Sequence, residues 1–197
     1  MREIIPLQRG RYYHLFNRGI NGEDIFREER NYSFFIEKWK AYLSPVFETF
    51  AYCLLKNHFH FLIRVKEEEI KIQNNEGIEY VADPSRQLSH MLNSYAQSFN
   101  KSYKRTGSLF ESPIKRKLVD DETYLLKLVA YNHFNPQKHK FIDDFKMYPH
   151  SSYHKIINGE NSFLKYKEVI EWFGDISNFI FFHYSYQEEK EFLFDIE

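Results

Sequence analysis

Apolar positions along this chain change their spacing several times, and each change marks the boundary of a predicted element. Across positions 29–43 they recur every three or four residues, which predicts an amphipathic helix ending near Ser44 and Pro45. Runs rich in aromatic and β-branched residues predict strands. In chain order the pattern predicts a strand at 11–17, a helix at 29–43, strands at 46–55 and 58–65, an exposed loop at 67–80, a helix at 84–103, a strand at 114–119 and a helix at 120–135.

The order of these elements predicts the fold class. The short connection Lys56-Asn57 favours an antiparallel hairpin between the second and third strands. Strand, helix, hairpin, helix, strand and helix together predict an α+β fold with a ferredoxin-like antiparallel sheet and packed helices. Pro136 is expected to end the helix before it. Beyond it, a segment at 151–157 and helices at 163–173 and 176–184 are predicted.

The composition predicts a buried core and a cytoplasmic location. The chain has 197 residues, with 20 Phe and 15 Tyr, which supply ample material for one buried core. Its one cysteine, Cys53, is expected to be a buried thiol, as suits a reducing cytoplasm. The sequence contains no apolar run long enough to span a bilayer and no long apolar segment at its start, so we expect a cytoplasmic protein.

Charge is spread unevenly over a chain whose net charge is only −1. Between positions 86 and 119, Glu111 is the only acidic residue, and this basic stretch is compatible with a polyanionic partner. An ordinary solvated surface is the alternative. The candidate DNA-binding residues are Arg86, Lys101, Lys104, Arg105, Lys115, Arg116 and Lys117. In a strand, Lys115 and Lys117 would share one face and Arg116 would take the other.

Two histidines lie two residues apart in the third predicted strand. Side chains at i and i+2 of a strand point to the same face, so His58 and His60 stand side by side while Phe59 and Phe61 point into the core. Two neutral imidazoles at that separation can hold one metal ion. Taken alone, the pair is more often structural, and His14 is likewise expected to be structural although it could lie near the site.

A tyrosine and an asparagine share one face of the helix before Pro136. Tyr131 and Asn135 are an i, i+4 pair, and Lys127 lies one turn earlier on the same side. The Asn135 amide oxygen could join the two histidines as a third ligand, with open positions left for phosphate oxygens and water. Each residue also has an ordinary interpretation, Tyr131 as a packed aromatic and Asn135 as a residue at a helix end. His133 is predicted to pack or to face DNA.

These motifs resemble those of a known enzyme family. His58-Phe59-His60 has the His-hydrophobe-His form of HUH endonucleases, and residues 131–136 resemble the tyrosine motif of REP-associated tyrosine transposases, which are single-tyrosine HUH transposases. Further similar segments lie at 13–26, 51–58, 105–110 and 151–153, so that the resemblance covers residues 10–157. Their order and spacing carry the resemblance, since each segment alone is weak.

The resemblance implies a metal-dependent single-stranded DNA endonuclease and strand transferase that acts at a hairpin or palindrome. It implies that Tyr131 is the nucleophile forming a 5′-phosphotyrosine linkage, and that His58, His60 and Asn135 hold Mg²⁺ or Mn²⁺. We take Lys127 as a possible activator, because a tyrosine with an ordinary pKa of about 10 is a poor nucleophile. Residues 1–157 would form the catalytic domain and 158–197 a C-terminal helical extension.

Several alternatives stay open at this point. The protein could be a catalytically silent relative that binds structured DNA or RNA for regulation. It could also hydrolyse another phosphoester with a metal, although the sequence places no carboxylate at ligand spacing near the histidine pair. It could be a monomer or a homodimer, and some relatives exchange catalytic helices between subunits.

Overall fold

The computed structural model describes residues 5–73, 77–160 and 163–188. In chain order its main elements are β1 (Tyr12–Arg18), α1 (Glu29–Leu43), β2 (Phe47–Leu55), β3 (His58–Val65), β4 (Lys71–Gln73), β5 (Glu79–Val81), α2 (Pro84–Ser102), β6 (Lys115–Val119), α3 (Glu122–Lys138), α4 (Tyr153–Ile157), α5 (Tyr166–Phe173) and α6 (Ile176–Glu188). Four strands form an antiparallel sheet in the order β2-β3-β1-β6. This arrangement confirms the predicted α+β class, with the strand order of a ferredoxin-like sheet.

Alternation along β3 separates the two faces of the sheet. Phe59 and Phe61 point toward α1, where the Trp39 ring stacks on Phe61 with 3.5 Å between the ring centroids. Helix α2 packs beside α1 on the same face and buries Leu88 and Tyr95. His58 and His60 therefore face the opposite side, which α3 covers.

The helices after α3 continue the same core. Val169, Phe173 and Phe179 of α5 and α6 are buried in one cluster with residues of the sheet. Buried Cys53 lies on β2 opposite His60, and burial raises the pKa of its thiol, so the predicted buried thiol is confirmed. The division into a catalytic domain at 1–157 and an extension at 158–197 stays a prediction, and positions 161–162 and 189–197 of that extension lie outside the described residues.

Two predictions about local structure were wrong. The stretch at 67–80 is not simply a loop, because β4 and β5 pair as an antiparallel hairpin; positions 74–76 lie outside the described residues. Helix α3 does not end before Pro136 but runs on to Lys138. Pro136 has no backbone N–H to donate and its ring crowds the carbonyl four residues earlier, but His139 still donates to the Asn135 carbonyl, so the last turn closes.

No helix in the described part of the chain combines the length and the apolar character needed to cross a membrane. A cytoplasmic location stays a prediction.

Candidate functional site

The two histidines of β3 lie where the sheet meets α3. Their rings are in edge contact, with 5.2 Å between centroids. The register between β1 and β3 places Phe16 opposite His60 and Arg18 opposite His58, because the two strands are antiparallel without interruption. The Gly19 that follows β1 has to be a glycine, since a Cβ there would collide with the Glu23 carbonyl. The tight turn it allows keeps Arg18 at the edge of the site.

One stripe of α3 faces this pair. The Tyr131 ring lies 5.6 Å from the His60 ring, and the His139 ring lies 4.9 Å from the His58 ring, both measured between centroids. Asn135 is four residues from each of these two contacts, so it lies between them on the same helix face. The helix thus presents tyrosine, amide and imidazole in a row along the two histidines, within a single chain.

Buried polar atoms at this junction fit a bound cation. Nε2 of His60 and both amide atoms of Asn135 are buried, and none of them has a hydrogen-bond partner among the described residues. Imidazole nitrogen and amide oxygen are both ligands for divalent metals. Within residues 5–73, 77–160 and 163–188, no group of three His, Cys, Asp or Glu side chains could hold a metal. The candidate set differs from such a group, because its third member is the Asn135 amide.

His60 is held neutral by burial, and both histidines are oriented by neighbours. Burial holds the pKa of His60 well below its usual range, and the nearby His14, His58, His139 and Lys138 lower it further. A neutral imidazole keeps one lone pair for a ligand. Nδ1 of His60 is hydrogen bonded to Nε2 of His14 at 2.9 Å, and Nδ1 of His58 lies 2.7 Å from Oδ1 of Asn57.

A cleft of about 580 Å³ opens beside the histidine pair. Aromatic, cationic and imidazole side chains line it together, which suits a ligand with both bases and phosphates. Its lining residues are Phe16, Asn17, Arg18, Asn57, His58, His60, Lys115, His139 and Phe141. Tyr131 and Asn135 are fully buried behind this lining, each with 0% of its surface exposed.

The structure divides the predicted DNA-binding residues between two sides of the sheet. Lys115 lines the cleft, and Lys117 lies on the same strand face with its ammonium over the Tyr124 ring. Arg116 points to the other side, where it donates to the hydroxyl of Ser85 at the start of α2. Arg86, Lys101 and Lys104 are exposed on or just after α2, away from the cleft.

Arg105 has a local structural partner instead of an open surface. Its guanidinium pairs with the Glu23 carboxylate at 2.7 Å and donates to the Ser108 carbonyl, and only 15% of the side chain is exposed. This clamp fixes the loop that runs beside the end of β1, where Ile20 donates its backbone N–H to the Leu109 carbonyl. The 105–110 motif therefore supports the wall of the cleft.

Lys138 lies against the Tyr131 ring. Its ammonium lies 5.1 Å from the ring centroid. Lys127, which the sequence suggested as the activator, is half-buried one turn before Tyr131 on α3. An activating role for Lys127 stays a prediction, and Lys138 is a second candidate for that role.

Sequence reasoning missed two residues of the cleft that it could have found. His139 continues the stripe of Tyr131 and Asn135 by one further turn, but an expected helix end at Asn135 hid it. Arg18 could have been found by pairing β1 with β3, because that pairing places it opposite His58. His133, by contrast, packs inside the protein: its Nε2 accepts from the Ser152 hydroxyl and its Nδ1 donates to His183.

Comparisons with known proteins find a curated sequence relative and solved structures with a similar fold. A putative REP-associated tyrosine transposase of Haemophilus influenzae is 29% identical over 117 residues, which span 58% of this chain and 63% of that protein. The solved structure of a REP-associated tyrosine transposase bound to a REP hairpin aligns with a TM-score of 0.56 at 15% identity, covering 83% of this chain and 87% of the other. No protein-family model matches the chain.

A bacterial tRNA(His) guanylyltransferase-like protein in complex with GTP also aligns, with a TM-score of 0.41 at 10% identity over 70% of this chain and 67% of that one. The sequence match covers less than two thirds of the curated relative, and the structural match establishes a shared fold. The resemblance indicated by the motifs is thereby confirmed: this chain is similar to REP-associated tyrosine transposases, in sequence to a curated homologue and in fold to a solved structure.

Proposed function

We propose that this protein is an HUH-type tyrosine transposase that nicks and rejoins single-stranded DNA next to a hairpin or palindrome. The observation that carries the proposal is the contact of the Tyr131 ring with His60, with Asn135 on the same helix face. The structural relative was solved bound to a REP hairpin, which supports a hairpin as the partner. Residues 1–157 would form the catalytic unit.

The reaction exchanges one phosphate ester for another. The Tyr131 oxygen attacks the scissile phosphorus and loses its proton, the bond from phosphorus to the 3′ oxygen breaks, and that oxygen takes up a proton. The products are a 5′-phosphotyrosine linkage and a free 3′-OH. Because the linkage keeps the energy of the ester, the reverse attack by a 3′-OH rejoins DNA without a nucleotide cofactor.

The residues around the cleft would bind and orient the strand. Lys115 and Arg18 provide positive charge for phosphate oxygens at its mouth, and Phe16 and Phe141 offer rings on which bases could stack. His58, His60 and Asn135 would hold Mg²⁺ or Mn²⁺. The bound cation would favour the phenolate and neutralise charge that develops on the phosphate.

The test uses hairpin oligonucleotides that carry single-stranded flanks, labelled at the 5′ end in one set and at the 3′ end in another. Incubation with Mn²⁺ or Mg²⁺ should give a covalent protein–DNA adduct that withstands denaturation and carries only the 3′-terminal label. The adduct should disappear with Tyr131→Phe, which removes only the hydroxyl. Cleavage that persists in this variant would refute tyrosine attack, and intact DNA across a range of hairpins would refute the nicking activity.

One observation favours a second candidate function. Tyr131 and Asn135 are completely buried, so the nucleophile reaches DNA only if the lining of the cleft moves. A catalytically silent protein that binds structured DNA or RNA would need no such movement. It would bind hairpins with the same affinity in the wild type and in Tyr131→Phe, and it would form no adduct.

A further inference from the structure

A buried hydrogen bond joins His14 of β1 to His60 of β3. Nε2 of His14 lies 2.9 Å from Nδ1 of His60, the two rings stack at 23°, and both side chains are buried. The Phe16 ring stacks on His14 with 4.6 Å between centroids and holds it in place. One imidazole must donate and the other accept, so this bond decides which nitrogen of His60 carries the proton.

The neighbouring histidine shows which tautomer the site requires. Nδ1 of His58 lies 2.7 Å from Oδ1 of Asn57, and an amide oxygen only accepts. A neutral His58 therefore donates from Nδ1 and keeps its lone pair on Nε2. If His60 also donates from Nδ1, both histidines offer the same atom, Nε2, to a shared ion.

The surroundings of His60 favour that direction. Its Nε2 is buried with no hydrogen-bond partner among the described residues, and His60 lines the cleft. The opposite direction would place the proton of His60 on Nε2 and point it at the ion. A lone pair at the same position is what a cation needs.

We propose that His14 is a positioning residue, which accepts the Nδ1–H of His60 and thereby fixes that ring with Nε2 directed at the metal. The inference rests on the proposed function, since it assigns His60 as a ligand. Partners of ligating imidazoles fix the tautomer, limit ring rotation and raise ligand basicity. His14 does all three from the neighbouring strand without touching the ion.

The first test reads the tautomer in the metal-free full-length protein. Long-range ¹H–¹⁵N correlation spectra distinguish the protonated nitrogen of each neutral histidine, and His60→Gln assigns its signals. His60 should carry its proton on Nδ1 and His14 should not donate from Nε2. A His60 that is protonated on Nε2 overturns the proposal whether or not the protein cleaves DNA.

The second test measures Mn²⁺ binding by electron paramagnetic resonance. His14→Phe keeps an aromatic ring beside Phe16 and removes the acceptor, and Mn²⁺ should bind about 10- to 100-fold more weakly. His14→Gln restores an acceptor oxygen and should recover most of the affinity. An unchanged affinity in a folded His14→Phe variant, checked by circular dichroism, overturns the proposal.

The chain offers a matched control in its other buried histidine pair. His133 and His183 are joined by a 2.8 Å hydrogen bond outside the site, so His183→Phe should reduce stability and leave Mn²⁺ affinity unchanged. If His14→Phe destabilises equally and both variants bind Mn²⁺ normally, His14 is only structural. Absence of Mn²⁺ binding in the wild type would overturn the role of His14, whereas normal binding without a DNA adduct would overturn only the proposed nicking.

Discussion

Replacing His183 with Phe should remove an acid-sensitive contribution to the free energy of unfolding. Nδ1 of His183 donates to the Phe179 carbonyl at 2.7 Å, so its Nε2 accepts from His133, whose other nitrogen accepts from the Ser152 hydroxyl. Each ring nitrogen of His133 and His183 is therefore already a donor or an acceptor in this series of hydrogen bonds. A second proton on His183 would place its Nε2–H against the Nδ1–H of His133 inside the protein.

Burial lowers the pKa of His183 to about 4, even though the hydrogen bond to the Phe179 carbonyl acts to raise it. In the unfolded chain His183 has its ordinary pKa of about 6.5. The contribution of the neutral His183 to the free energy of unfolding is therefore complete above that pH and is lost as the pH falls toward 4. The loss is about 2 kcal/mol at pH 5 and about 3 kcal/mol at pH 4. Burial and the neighbouring His183 also hold the pKa of His133 well below its usual range, which adds a loss of the same sign.

Urea unfolding followed by circular dichroism from pH 7.5 to 5 tests this reasoning. At pH 7.5 the His183→Phe variant should be less stable by about 1–3 kcal/mol, because the His133 N–H loses its acceptor. Toward pH 5 the stability of the wild type should fall faster, so the difference between the two proteins should shrink by about 2 kcal/mol. Parallel pH profiles would show that His183 does not stay neutral in the folded protein.

Three further predictions concern the site. His60→Gln should abolish adduct formation while hairpin affinity in gel-shift assays changes by less than about threefold, since phosphate contacts dominate binding; a large loss of affinity would contradict this. Lys138→Gln should lower the nicking rate by about 10-fold and shift its pH profile upward if the ammonium favours the phenolate, and the same assay on Lys127→Gln decides which lysine acts. Lys115→Gln should reduce the slope of log affinity against log salt by about 0.7, whereas Lys101→Gln on the far side of the sheet should leave it unchanged; equal effects would place the DNA outside the cleft.

Much of the fold followed from local patterns in the sequence. The helix predicted at 29–43 and the strand at 58–65 match α1 and β3, because each has an uninterrupted apolar period and ends at a turn. The antiparallel hairpin of β2 and β3 followed from a two-residue connection. These features depend on neighbours in the chain, which a single sequence displays directly.

Features that depend on contacts between distant segments could not be predicted from local patterns in the sequence. The side chains that orient His58 and His60 come from the preceding turn and from β1, and only the strand register brings His14 to His60. The seven candidate DNA-binding residues lie together in the sequence, yet strand alternation and the position of α2 separate them in space. Helix α3 passes Pro136 because its last turn has other backbone bonds, which periodicity alone does not show.

The C-terminal helices gain a structural role from the faces of α3. Tyr131 and His133 are two residues apart, about 200° around the helix, so when one faces the histidine pair the other faces away from the sheet site. His133 is fastened there by Ser152 next to β2 and by His183 of α6. Any tilt or rotation of α3 that moved Tyr131 away from His60 would break this second set of bonds. Helix α6 therefore adds to the stability of α3 from the side away from the histidine pair, and no described residue of α6 lines the cleft.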